Sequence, residues 1–470
     1  MDTRRLLSST VLYGVANIAV MAVGGFLLLP LYTRTLSQGE FGMYVAIRAN
    51  IDLLTYLLQF GLPSALGRNY FDYKKKQQQH EYVGSVALMF LVMLAAWAGV
   101  LALWGDALWQ WLSPSTPAQP YLALSAAIAA ASFPSAVAAL WLRMEGRVMA
   151  VVGLQVGSAA LLAVLAVLNL ALLRTGLVGL LGALLASSAL AAAVLPKLLQ
   201  GRLRLAWRPQ HVKATLHYAL PVLVGYIAYF VLNRFSTLVL QHHVSPQELA
   251  VYGLALQLSM AVGVAANAFG MALQPRVFAA EQAQAQAVLR HAARLFTLLM
   301  LGLTGGLVLF APELLALVGP PGYAGALPLL VLLLVANFTS TFTLISDTAL
   351  LYLRRPKTSV AISLAGAAVA ALGSLWLVPL LHLEGAALAV AAGLVTRMLL
   401  SHWAAAQALD YSAWGSMLGG LGALAALAAL MAGLREVALP PGMATALKIF
   451  LTALAAGIAL ARHRYTRSCA

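Results

Sequence analysis

Apolar runs of about twenty residues recur along almost the whole chain, separated by short polar turns. A bilayer core of ~30 Å needs ~20 apolar residues per helix. About fourteen such runs are present, near 10–32, 41–62, 82–104, 119–141, 149–173, 176–196, 215–240, 250–273, 292–311, 325–350, 359–380, 385–407, 414–434 and 443–461. In hydrocarbon each run must satisfy its own backbone, which a helix does. The sequence therefore predicts an all-α polytopic membrane protein. A content of 62% hydrophobic and 9% charged residues, with a mean hydropathy of +0.88, excludes a water-soluble fold, since soluble domains carry about 25% charged residues. The first run follows the basic segment MDTRRLLSST, is too long for a signal core, and has no A-x-A-like site at its end. It reads as an uncleaved first span.

The formal charge of +15 does not indicate a nucleic-acid partner, because the basic residues sit in short clusters between apolar runs. They fix a topology instead. One set of loops collects Arg4, Arg5, Lys74 to Lys76, Arg143, Arg147, Lys197, Arg202, Arg204, Arg208 and further basic residues. The opposite set holds only Arg34, Arg174 and Arg435. Both termini are thus expected on the cytoplasmic side. Trp104, Trp109 and Trp111 cluster at the outer end of the third span, and Trp403 and Trp414 flank an inner loop, as interfacial anchors do. Gly153/Gly157, Gly302/Gly306 and Gly415/Gly419 have the spacing that lets helices approach closely.

A repeat divides the chain. Ser37, Glu40, Tyr44 and Arg68 recur as Ser245, Glu248, Tyr252 and Arg276, an offset of 208 residues (245 − 37), and Arg147 falls on Arg355. The matching residues are polar, and so are not an accident of apolar composition. The offset covers six spans, so the two halves have the same topology and the repeat is parallel. The expected organisation is a six-helix lobe at 1–200, a second six-helix lobe with a basic linker at 201–413, and two extra spans with a basic tail at 414–470.

Ionisable groups inside spans are costly and face an interior or a water-filled cavity. Arg48 and Asp52 are four residues apart and can pair, either as a self-neutralising structural pair or as the charged wall of a substrate cavity. Arg234 follows Asn233 in the seventh span and has no acid near it in sequence, so it needs an anion or a distant carboxylate. Arg397 lies in the twelfth span, and Lys448 near the start of the last, where it can snorkel. Asp347 is a proton or cation site, or it pairs with Arg354 or Arg355; pairing is the safer expectation. His242 and His243 occupy an outer turn. Pro63, Pro134 and Pro275 are expected to kink or end helices. Gly61, Pro63 and Pro275, just before Arg68 and Arg276, are the expected hinges, with those two arginines as a cytoplasmic gate. Cys469 is the one cysteine, and there is neither a G-x-x-x-x-G-K-[ST] nor an H-E-x-x-H motif. Disulfides, ATP-driven pumping and zinc hydrolysis are not expected, nor is any cofactor or metal, and the chain does not read as an enzyme.

The segments LLLPLYTRTLSQGEFGMY and GLPSALGRNYF, LNRFSTLVLQHHVSPQELAVYGLA in the second half, and APELLALVGPPGYAGALPLL resemble, in order and spacing, the polysaccharide-biosynthesis flippases. These O-antigen-type oligosaccharide flippases belong to the multidrug/oligosaccharidyl-lipid/polysaccharide exporter superfamily. The resemblance spans roughly residues 10–400. It implies two six-helix lobes around a central cavity that opens alternately to each side of a bacterial inner membrane. The implied cargo is a polyprenyl-(pyro)phosphate-linked oligosaccharide, moved from the cytoplasmic to the outer leaflet for cell-surface polysaccharide synthesis. Membrane lipids, a polysaccharide polymerase and glycosyltransferases are the implied partners. Arg48, Arg234 and Arg397 offer forked donors to a pyrophosphate, with Asp52 and Asp347 as coupling or structural partners. The family often has Asp before the seventh-span Arg; here Asn233 stands there, which removes a local partner for Arg234.

Three alternatives share some of these features. A MATE-type drug exporter of the same fold handles mostly cationic drugs and calls for an acidic cavity, whereas arginine exceeds acid in these spans. A lipid II flippase has the same number of spans. A membrane polysaccharide polymerase or ligase calls for a long external loop with catalytic charges, and the outer loops here are short.

Overall fold

The computed structural model describes residues 26–409 and 412–436. Those residues form helices and turns, with no strand among them. In chain order the helices are α1 (Leu29–Thr35), α2 (Gln38–Gln59), α3 (Leu62–Asn69), α4 (Lys76–Leu112), α5 (Tyr121–Met144), α6 (Val148–Val167), α7 (Gly176–Leu199), α8 (Pro209–Phe230) and α9 (Ser236–Leu240). Then follow α10 (Pro246–Ser259), α11 (Ala261–Phe278), α12 (Gln282–Leu309), α13 (Ala311–Val318), α14 (Ala326–Tyr352), α15 (Pro356–Leu409) and α16 (Trp414–Glu436).

Ten helical segments among the described residues are long and apolar enough to cross a membrane. One of them, α15, holds two expected spans: at His382 the backbone leaves helical geometry (φ 50°, ψ −115°) and the chain doubles back. The second expected span is α2 with α3, whose Arg48, Asn50 and Asp52 lower its hydropathy and keep it outside the ten. The expected runs near 10–32 and 443–461 lie mostly or wholly outside the described residues, as do Lys448 and Cys469.

Two compact units divide between Ala250 and Val251. In the first, Phe90 of α4 stacks on Phe133 of α5 at 3.8 Å, within a cluster that includes Leu62, Leu66, Tyr82 and Trp141. A buried polar ladder ties α2 to the end of α4 and to Gln241 after α9. Asn50 Nδ2 donates to Ser113 Oγ (2.7 Å), and Ser113 Oγ donates to Gln241 Oε1 (3.0 Å). The seventh span, α8 to α9, belongs to this first unit. In the second unit α14 is central, with 67% of its most apolar window buried; that share is only 17% in α4 of the first unit.

The repeat has a local structural meaning. Ser37 and Glu40 close a capping box at the start of α2: Ser37 N donates to Glu40 Oε2 (2.9 Å) and Glu40 N to Ser37 Oγ (3.2 Å). Ser245 and Glu248 repeat it at α10, at 2.9 and 3.3 Å. Each box satisfies two helix-end donors. The first turn of α10 lies against α2: Gln38 Nε2 donates to the Gln247 carbonyl (3.2 Å), and a Cβ on Gly42 would overlap the Pro246 carbonyl oxygen.

The breaks are not repeated. Helix α2 stops at Phe60 and Gly61, both left-handed (φ 50° and 71°), and Pro63 sits in the first turn of α3, where proline is tolerated. The break expected at Pro275 is instead at Met260, and Pro275 lies inside α11. The residue 208 after Gly61 is Phe269, so the glycine that lets the first copy turn left-handed is missing from the second. Helix α5 runs on through Pro134.

Two further expectations are corrected. Trp109 is buried, its Nε1 donating to the Thr116 carbonyl (3.0 Å), so only Trp104 and Trp111 of that cluster are exposed anchors. The three Gly-xxx-Gly pairs have no neighbouring atom within 4 Å of where a Cβ would stand. Close approach occurs inside α15 instead, where Gly366 meets Gly393 and Gly385 meets Leu377 across the hairpin.

The linker after α7 is extended and strapped to the first unit. Glu145, in the turn after α5, binds Arg202, Arg147 (3.3 Å) and Trp141 Nε1 (3.1 Å). Glu81 binds Arg208 (3.3 Å) and Arg204 (3.8 Å), and Arg204 N donates to the His80 carbonyl (3.2 Å). The hydrogen bond from Arg202 leads the causes that hold the Glu145 carboxyl below its usual range, against the opposing effect of burial. A lowered folded-state pKa stabilises above the unfolded value, roughly 4.3, and that contribution disappears as pH falls through the folded value.

Two measurements check these contacts. Gly42→Ala should lower the melting temperature of the detergent-purified protein, whereas Gly157→Ala, in open space, should leave it unchanged or raise it; equal effects would contradict the close approach. Glu145→Gln should lower the melting temperature at pH 7 and shrink its fall on acidification. An acid limb identical to wild type would contradict the role of the Glu145 clasp.

Candidate functional site

Tyr44, Arg48, Asp52 and Tyr56 follow one another at intervals of four on α2, so they form one stripe along the helix. Opposite the stripe, between α8 and α9, residues Val231–Phe235 form a π-turn that carries Arg234. Single π-turns inside α-helices are frequent at functional sites. Asp52 is shared: its Oδ1 lies 3.3 Å from Arg48 Nη2 and its Oδ2 lies 3.2 Å from Arg234 Nε. The side chains are part-buried, 19% exposed for Asp52, 17% for Arg234 and 38% for Arg48. Asn233 turns away and donates to the Tyr229 carbonyl (2.8 Å). The distant carboxylate that Arg234 needs is therefore Asp52.

Aromatic residues border this cluster. The Tyr56 ring stacks on Tyr226 of α8 (centroids 5.4 Å apart) and meets the Phe230 ring edge-on (6.5 Å). The Tyr226 hydroxyl lies 3.0 Å from Ser64 Oγ. Tyr56 and Tyr226 were not among the candidates from sequence. The four-residue step on either side of Arg48 and Asp52 would have found Tyr44 and Tyr56; no local signal points to Tyr226. Two guanidiniums and one carboxylate leave one excess positive charge on the stripe. Forked guanidinium donors suit a phosphate.

The second unit holds a differently balanced cluster. Asp347 of α14 does not pair with Arg354 or Arg355. It accepts from Arg397 Nη2 (2.9 Å), Ser359 Oγ (3.0 Å) and Ser401 Oγ (2.9 Å). The α15 hairpin explains this, because its two strands of helix bring Ser359 and Ser401 face to face beside Asp347. Arg397 is thus matched one to one, although its Nε is buried and makes no hydrogen bond among the described residues.

The expected gate residues are at the surface. Arg68 pairs with Asp72 (3.0 Å), and Arg276, in the last turn of α11, is exposed. His242 and His243 are exposed in their turn. No group of three or more metal-ligating side chains is found among the described residues.

The shared carboxylate gives an asymmetric prediction. Asp52→Asn leaves two part-buried guanidiniums facing each other without a counter-charge, whereas Arg48→Gln leaves the Arg234–Asp52 pair intact. Removing the common partner should therefore lower the melting temperature more, although Asn is isosteric with Asp. A larger loss in Arg48→Gln would contradict the shared geometry.

Comparison with known proteins follows the same lines. A model of the family described as "Polysaccharide biosynthesis protein" matches residues 6–281, which is 276 of the 470 residues (281 − 6 + 1). No curated protein matches the chain. Among solved structures, the lipid II flippase MurJ in an inward closed conformation is similar at a TM-score of 0.77 and 11% identity, covering 98% of this chain and 99% of that one. An inward-facing multidrug resistance MATE family transporter of the MOP superfamily is similar at 0.63 and 16%, covering 90% and 96%. The Vibrio cholerae MATE transporter VcmN in its bent form is similar at 0.54 and 16%, covering 91% and 100%. At these identities the likeness establishes the fold, which is that of the MOP superfamily. With the family model covering more than half of its length, the chain belongs to the polysaccharide biosynthesis protein family.

Proposed function

We propose that this chain is a flippase that carries a polyprenyl-(pyro)phosphate-linked oligosaccharide from the cytoplasmic to the outer leaflet of a bacterial inner membrane, by alternating access. The observation that carries this reading is the excess positive charge of Arg48 and Arg234 around Asp52. A part-buried guanidinium surplus within membrane spans is costly and is offset when an anion arrives. A diphosphate presents several oxygens to two forked donors. Tyr56 and Tyr226 offer amphipathic rings beside it, suited to the sugar that follows the phosphates. A cationic drug is disfavoured by the same charge.

Arg48 and Arg234 are the substrate-binding residues of this reading. Arg397, neutralised by Asp347, is placed second, and the Asp347 cluster is a structural or coupling pair. Lipid II, the cargo named for MurJ, is the second reading, since it is also a lipid-linked glycan and the likeness to MurJ extends over nearly the whole chain.

The test is made in a deletion strain. Polyprenyl-linked sugars are extracted after treatment of intact spheroplasts with an impermeant sugar-modifying reagent. Protected, cytoplasmic-side intermediates are expected, rescued by wild type and reduced at least tenfold in rescue by Arg48→Ala or Arg234→Ala. Intermediates that reach the outer leaflet but stay unpolymerised would overturn the flippase reading in favour of a polymerase or ligase. Accumulation of lipid II instead would select the second cargo.

A further inference from the structure

The linker Arg202–Arg208 reads Arg-Leu-Arg-Leu-Ala-Trp-Arg, an alternation of charged and apolar residues in an extended segment. In an extended chain alternate side chains point to opposite faces. The arginines lie on one face and bind carboxylates of the first unit while staying half exposed: Arg202 binds Glu145, and Arg204 and Arg208 bind Glu81. Ser85 Oγ donates to the Ala206 carbonyl (2.5 Å), and a Cβ on Gly84 would overlap the Arg204 carbonyl oxygen, so the backbone lies directly on α4. Leu203, Leu205 and Trp207 are left 42%, 61% and 52% exposed.

Beside Trp207 the start of α8 forms a groove of about 460 Å³, lined by Trp207, Pro209, Val212, Leu216 and Leu220, with Lys213 and His217 also in its wall. Val212, Leu216 and Leu220 form one stripe at four-residue steps, and Lys213 and His217 form the stripe next to it. No carboxylate among the described residues pairs with Lys213. From Lys197 to Lys213 the chain carries five cations, Lys197, Arg202, Arg204, Arg208 and Lys213, against the two carboxylates that hold the strap.

We propose that this strap and groove form a binding site for an anionic phospholipid of the bilayer, with an acyl chain along Trp207, Val212, Leu216 and Leu220 and the headgroup phosphate on Lys213 and His217. Exposed leucines and a tryptophan alternating with half-exposed arginines suit the boundary between headgroups and acyl chains, where Trp rings concentrate. The cationic surplus complements an anionic headgroup, and a polybasic segment beside a membrane span reads as an anionic-lipid site. The site is separate from the Arg48–Asp52–Arg234 stripe and does not depend on the cargo assigned above.

The test is native mass spectrometry of the full chain purified from mixed phosphatidylglycerol and phosphatidylcholine vesicles. Wild type should retain phosphatidylglycerol in preference to phosphatidylcholine. Lys213→Gln should reduce that preference about fivefold, the effect of roughly 1 kcal/mol per cation at an anionic surface. Trp207→Ala should reduce retention of both lipids, and Arg290→Gln, in α12, should match wild type. Lys213 is exposed, so its replacement leaves folding intact if Trp207→Ala does not. Equal retention of the two lipids by wild type, or undiminished preference in Lys213→Gln, would overturn the proposal.

Discussion

One carboxylate shared by two guanidiniums is the contact on which the first unit's site depends. Charges inside a membrane span cost several kcal/mol unless paired or hydrated, and Asp52 meets that cost for two arginines at once. Arg48 is held from its own helix, one turn away; Arg234 is held from a π-turn that interrupts the seventh span. The pairing thus joins a regular stretch of the second span to the seventh span at its π-turn. It leaves a positive remainder, which gives the cluster a use for an anion that a neutral pair would lack.

The second unit shows a charge-balanced cluster. Asp347 has one arginine and two serine hydroxyls, supplied by both arms of a helical hairpin whose arms approach through Gly366 and Gly393. Its charges cancel. The two clusters share residue types and differ in charge balance.

Much of this was legible in the sequence because it is local. The spans follow from runs of apolar residues, the Arg48–Asp52 pair from a spacing of four, and both capping boxes from a serine three residues before a glutamate. Contacts made across the fold were not legible. Arg234 and Asp52 are 182 positions apart (234 − 52), so the sequence showed only that Arg234 lacked a nearby acid. The sequence offers Asp347 a proton or cation role or the nearby Arg354 and Arg355, because the hairpin that returns Arg397 to it depends on a turn at His382 with no proline or glycine at that residue. The glycine pairs misled for a related reason: a spacing of four marks a helix face without saying whether another helix lies against it. Trp109 falls in the same class, since its burial depends on contacts that the local sequence does not name.

The central claim is that the Arg48–Asp52–Arg234 stripe recognises negative charge on a lipid-linked cargo. Its most direct test compares binding of a polyprenyl diphosphate with binding of the same polyprenyl alcohol to the purified full chain, in wild type and in the Arg48→Ala/Arg234→Ala double variant. The account predicts that wild type prefers the diphosphate by at least tenfold and that the double variant loses the preference while still binding the alcohol. Equal binding of the two by wild type, or a preference that survives loss of both arginines, would contradict it.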